Sequence, residues 1–107
     1  MAFPEYDKFW TETADFLQAH IREGEHLIAP SEFGEKFPNI TINYHSTIRE
    51  ATFQWAIIHK GMMSEIDYVV LECIRKEFIP VFANEVFVIF SSHKTLPEVN
   101  PTSPHIQ

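Results

Sequence analysis

Residues Gln54 to Val81, QWAIIHKGMMSEIDYVVLECIRKEFIPV, decide the fold. The run Gln54 to Lys60 is apolar on consecutive positions, which suits a central strand covered on both faces. Behind it, Ile66, Val69, Val70, Cys73, Ile74 and Phe78 recur at helical spacing, while Glu65, Glu72, Arg75, Lys76 and Glu77 form a charged face. Ser64 is placed to cap this helix, with Asp67 three residues on. A second apolar run begins at Phe78. Strand, helix, strand is a crossover unit, and its two strands run parallel in nearly all cases.

Downstream, IPVFANEVFVIFSS splits into two apolar runs around Asn84 and Glu85, the pattern of a β-hairpin in which Asn84 supplies a left-handed turn residue. The last strand must then run antiparallel. From His93 the chain reads HKTLPEVNPTSPHIQ, with Pro97, Pro101 and Pro104 and no periodicity, as a tail or linker would.

Upstream, Tyr6, Phe9, Trp10, Thr13, Phe16, Leu17 and Ile21 mark one face of a helix, with Pro4 ahead of it and Gly24 behind. EHLIAP (Glu25 to Pro30) is a short strand and SEFGEKFPN a loop. ITINYH (Ile40 to His45) alternates as a half-exposed strand toward one side of the sheet. STIREATF fits either a helical turn or a loop. These elements predict an α/β, Rossmann-like domain over residues 1–92, in two or three layers, with a mixed sheet of four or five strands, two main helices and a C-terminal hairpin. Residues 93–107 form the tail.

The composition agrees with a single packed domain. A chain of 107 residues with an apolar fraction of 45%, ten Phe, three Tyr and two Trp can bury roughly two thirds of its unfolded surface. The net charge of -7 argues against nucleic acid and anionic membranes, both of which demand a positive footprint. A lone Cys73 forms no internal disulfide, and no run of eighteen apolar residues or basic leader precedes the fold, so a soluble cytoplasmic protein is expected.

In open α/β sheets, ligands settle outside the carboxyl ends of parallel strands. If the first three strands are parallel, those ends bring Ser31, Glu32, His45, His59 and Lys60 to one edge. Ser64 would start a helix there whose free amides favour an anion. These six residues are the candidate ligand-binding set, for a phosphorylated or carboxylated small molecule. The competing interpretation is a solvated strand end with no site. No GxGxxG or GxxxxGK[ST] loop occurs, and the histidines lack HxH or HxxxH spacing, so neither cofactor nor metal is expected. Cys73 lies on the apolar stripe, where a small buried hydrophobe is expected rather than a nucleophile. No catalytic residue is assigned.

The stretch ATFQWAIIHKGMMSEIDYVVLECIRKEFIPVFANEVFVIFSS resembles a small α/β module that accompanies glycosyltransferases and FkbM-like methyltransferases in surface-polysaccharide gene products. It is also similar to the soluble α/β tail of membrane-embedded sugar transferases. The resemblance implies an appendage, with donor chemistry handled elsewhere, and transfers no catalytic residue to this chain. It further implies a transferase partner, or an enzyme domain following Gln107. The chain departs from those relatives in having no DxD motif, no glycine-rich methyl-donor loop and no transmembrane helix. Three functions are therefore expected in order: a non-catalytic accessory domain for a sugar- or glycan-modifying transferase; a small ligand-binding protein or enzyme using the strand-end pocket; and an interaction protein that homodimerises through an edge strand, with EVFVIFSS as the candidate edge.

Overall fold

The computed structural model describes residues 3–44 and 53–93. Its elements are α1 (Lys8–His20), β1 (Leu27–Ile28), β2 (Thr41–Ile42), β3 (Trp55–His59), α2 (Tyr68–Glu77), β4 (Ile79–Ala83) and β5 (Phe87–Ser91). Two short 3-10 helices, Ser31–Glu35 and Lys60–Glu65, follow β1 and β3. The sheet order is β2-β1-β3-β5-β4. β1 is parallel to β2 and β3, whereas β5 is antiparallel to both β3 and β4. The mixed sheet expected with four or five strands is present with five, and so is the hairpin.

Side-chain alternation along β3 sends Trp55 and Ile57 to one face and Ala56 and Ile58 to the other. The first face packs against Ala14 and Leu17 of α1 and against Phe33 and Phe37. The second packs against Val70 and Ile74 of α2, with Ile66, Phe78, Phe53 and Tyr44. One helix on each face makes three layers and explains why β3 reads as a continuous apolar run.

α1 begins at Asp7, whose carboxylate accepts from the Phe9 amide at 2.9 Å and the Trp10 amide at 3.3 Å. A cap of this kind contributes about 1 kcal/mol. The helix is thus shorter than its periodicity predicts. Tyr6 lies before the cap and is fully exposed, so it does not join the apolar stripe. Thr13, the weakest apolar member of that stripe, is fully buried; its hydroxyl donates to the Phe9 carbonyl at 2.7 Å. Gly24 is not the helix cap either. The helix ends at an extended Ile21, and Gly24, at φ 86°, occupies the turn closed by Glu25 N–H on the Arg22 carbonyl.

Three further expectations are corrected. Asp67, not Ser64, caps α2, accepting from the Val69 amide at 2.8 Å; Ser64 lies in the preceding 3-10 helix. Val69 is exposed at 58%, because the later start rotates the stripe onto Ile66, Val70, Ile74 and Phe78. The left-handed asparagine is Asn39, at φ 71°. Asn84 turns the hairpin by another device, its Oδ1 accepting from the Val86 and Phe87 amides at 2.9 and 2.8 Å.

β5 is not an edge. It lies between β3 and β4, so the edges are the two-residue β2 and β4. β4 carries Pro80 and a register shift between Pro80 and Phe82, devices that blunt an edge against pairing with another chain.

Candidate functional site

At the carboxyl ends of β1 and β2 the chain encloses a cleft of about 310 Å³. Pro30, Ser31 and Glu32 come from the end of β1, Asn43 and Tyr44 from the end of β2, and Met62 and Glu65 from the 3-10 helix after β3. The position follows from connectivity. β1 connects outward to β2 while β3 connects through α2 toward β4, so the chain leaves two adjacent parallel strands in opposite directions.

Tyr44 holds this end together. Its hydroxyl donates to the Ile57 carbonyl and accepts from the His59 amide at 3.0 Å. β1 pairs with β3 only as far as Ile28 and Ala56. The phenol therefore serves two β3 backbone groups that lie beyond the last β1 pair. Burial pushes the Tyr44 pKa far up; the hydrogen bond from the His59 amide opposes this, and the charges of Glu65 and Glu32 add smaller upward contributions.

The expected site residues divide. Ser31 and Glu32 line the cleft. His59 shares the β3 face of Trp55 and Ile57: its ring lies 5.8 Å from Trp10 and 5.1 Å from Phe87, on the α1 side. Its Nδ1 accepts from the Gly61 amide at 3.0 Å. A Cβ at Gly61 would stand 3.2 Å from the His59 ring, so glycine is what lets the two approach. Lys60 donates through Nζ to the Asn84 carbonyl at 2.6 Å, bracing the hairpin turn. Ser64 is exposed and does not line the cleft, while Asp67 already occupies an α2 amide that an anion would use. His45 lies outside the described residues. Asn43, Met62 and Glu65 also line the cleft without having been singled out from sequence; the 3-10 helix after β3 that presents the last two had no distinctive signal.

Elsewhere, Glu25 gathers the Trp55 indole N–H at 2.9 Å, the Arg22 amide at 2.8 Å and the His93 ring. Burial raises its pKa, but these hydrogen bonds together outweigh burial and hold the carboxyl below its usual value. Burial, then the Glu77 charge, raises the Cys73 thiol, so it lacks the environment of an activated nucleophile. Among the described residues no group of three or more His, Cys, Asp or Glu is placed to hold a metal. No helix among them is long and apolar enough to cross a membrane.

A second, apolar groove of about 250 Å³ lies on the α2 side, formed by Ile58, Met63, Leu71, Ile74, Arg75 and Phe90. It marks where α2 leaves part of the β3–β5 surface uncovered. The architecture is that of a three-layer α/β domain with an open mixed sheet. Comparison with known proteins finds no matching family model, no matching curated protein and no matching solved structure.

Proposed function

We propose that this chain is a non-catalytic α/β module that supports or recruits a transferase acting on sugars or glycans. The observation that carries the non-catalytic part is the engagement of the polar groups at the sheet's end. Tyr44, His59 and Lys60 are each bonded to backbone of this chain, which gives them structural roles. The transferase association rests on the pattern resemblance over roughly Gln54 to Ser91, and the apolar groove beside α2 offers partner-facing surface. The test is calorimetric titration of the chain with nucleotide sugars and with S-adenosylmethionine. The proposal expects neither to bind; submillimolar affinity for either overturns it.

A second reading is a small-ligand-binding protein that uses the strand-end cleft, favoured by a concavity at the point where the connections diverge. The anion expected from sequence finds no basic residue among the described residues that line the cleft.

A further inference from the structure

We propose that the apolar groove beside α2 is one half of a two-fold homodimer interface, filled by Tyr68 of a second copy of this chain. The inference is independent of the transferase association, which neither requires nor forbids a dimer. The groove, about 250 Å³, is lined by Ile58, Met63, Leu71, Ile74, Arg75 and Phe90. All but Arg75 are apolar, and Met63 is 48% exposed. Tyr68, 72% exposed, stands one helical turn before Leu71, on the groove side of α2 and outside its own core. An aromatic ring in water next to an apolar concavity is the pairing that interface anchors use.

A second copy is the occupant because the α2 stripe is complementary to itself. Asp67, Leu71 and Arg75 are spaced i, i+4, i+8 and so fall along one stripe of the helix. Its middle is apolar, and its ends carry opposite charges. In a two-fold interface residue i meets residue j and j meets i. Two α2 helices packed antiparallel about Leu71 therefore set Asp67 of each copy against the partner's Arg75. The same register sets Tyr68, three residues before Leu71, against the partner's Ile74, three residues after it, in the groove. Both charged groups can keep their present bonds. Asp67 gives Oδ1 to the Val69 amide and has a second oxygen, while Glu72 accepts from Nε and Nη2 of Arg75, whose guanidinium has five N–H donors. A parallel copy, or a partner helix of single charge, would leave one end of the stripe facing its own sign.

Analytical ultracentrifugation of the full chain over roughly 1–500 μM tests this, a range suited to a contact below the standard interface size. The unaltered chain should shift from one copy toward two. Tyr68→Ala should weaken the dimer roughly tenfold or more, with melting temperature nearly unchanged. Arg75→Glu and Asp67→Lys should each be monomeric alone, because each sets like charges together twice, and an equimolar mixture of the two should form the heterodimer. Should loss of the helix cap unfold Asp67→Lys, Arg75→Glu and Tyr68→Ala still decide the matter. A monomer throughout the range overturns the proposal, and nuclear Overhauser contacts from Phe90 to residues 94–107 in that monomer would give the groove to the chain's own C-terminal segment. A dimer indifferent to Tyr68→Ala overturns the use of the groove. A dimer that Arg75→Glu leaves intact, or a mixture of the two folded charge variants that stays monomeric, overturns the antiparallel register.

Discussion

The side-chain amide of Asn84 donates to the Thr13 hydroxyl at 3.2 Å, and both residues are buried. The same amide donates to the Phe9 carbonyl at 3.1 Å, while its oxygen closes the β4–β5 turn. One residue thus shapes the hairpin and fastens it to α1. Asn84→Asp keeps the turn acceptor and loses the donor, and sets a second carboxylate against Glu12, whose Oε1 now accepts from Asn84 at 3.3 Å. We expect Asn84→Asp to lower stability by about 1–3 kcal/mol, and Asn84→Ala to lower it further because the turn is lost as well. Chemical denaturation of the three proteins checks the order.

Tyr44→Phe removes the hydroxyl that serves the Ile57 carbonyl and the His59 amide. The ring still fills its place, so the expected loss is about 1–3 kcal/mol from unpaired backbone groups, without the larger penalty of a cavity. Hydrogen exchange should show the His59 amide losing protection more than the Ile89 amide in β5. Equal loss at both would mean the hydroxyl acts only through global stability.

His59 and Lys60 behave as fold residues. His59→Asn retains an acceptor where the ring now receives the Gly61 amide, but gives up packing on Trp10 and Phe87. We expect it to be less destabilising than His59→Ala. Lys60→Met, which keeps the stem and loses the bond to the Asn84 carbonyl, should cost about 1 kcal/mol or less at this exposed position. Thermal melts of the three variants test this, and a melting temperature unchanged in all three would return these residues to candidacy as ligand contacts.

Glu25 predicts a pH effect whose sign follows from its lowered pKa. The folded state favours the carboxylate, so the contribution is fully present above the ordinary value of 4.5 and fades as pH falls through the lower folded-state value. Glu25→Gln should therefore destabilise the protein near neutrality and flatten part of the stability loss on the acid side. Parallel denaturation curves from pH 3 to 7 measure it; identical acid limbs would dismiss Glu25 as a contributor.

Self-association should be weak through β4. Pro80 withholds a donor and the adjacent register shift distorts the edge. Light scattering of Tyr68→Ala at rising concentration should show a monomer, and adding Pro80→Val should increase association. A dimer that persists in Tyr68→Ala would instead point to an edge strand.

Much of the layer plan was legible in the sequence because α1 and α2 carry helical apolar stripes and β3 a continuous apolar run. The stripe of α1 joins one core and that of α2 the other, with β3 contributing to both. What was not legible was decided over distance or by single hydrogen bonds. Local sequence gives β5 its direction but not its place between β3 and β4. Asp7 and Asp67 outcompete the flanking pattern for the helix starts. For the site, strand ends located Ser31 and Glu32. The same alternation that placed Trp55 and Ile57 on the α1 face also carries His59 there, a parity the polarity of His-Lys-Gly obscured. Tyr44 was visible as part of a strand, yet its bridging role depends on β1 ending early, which no pattern announces.

The place of β5 bears on how the chain is made. β3 and β4 are separated by two strand spacings, roughly 9.6 Å, and the intervening row is filled only by residues 87–91. Everything N-terminal to it can form helices and the β1–β2–β3 pairing, but the gap stays open until that row emerges from the ribosome. Synthesis halted before Phe87 would release a polypeptide lacking the row that Ile57 and Phe82 flank at Ile89, a form suited to proteolysis or aggregation.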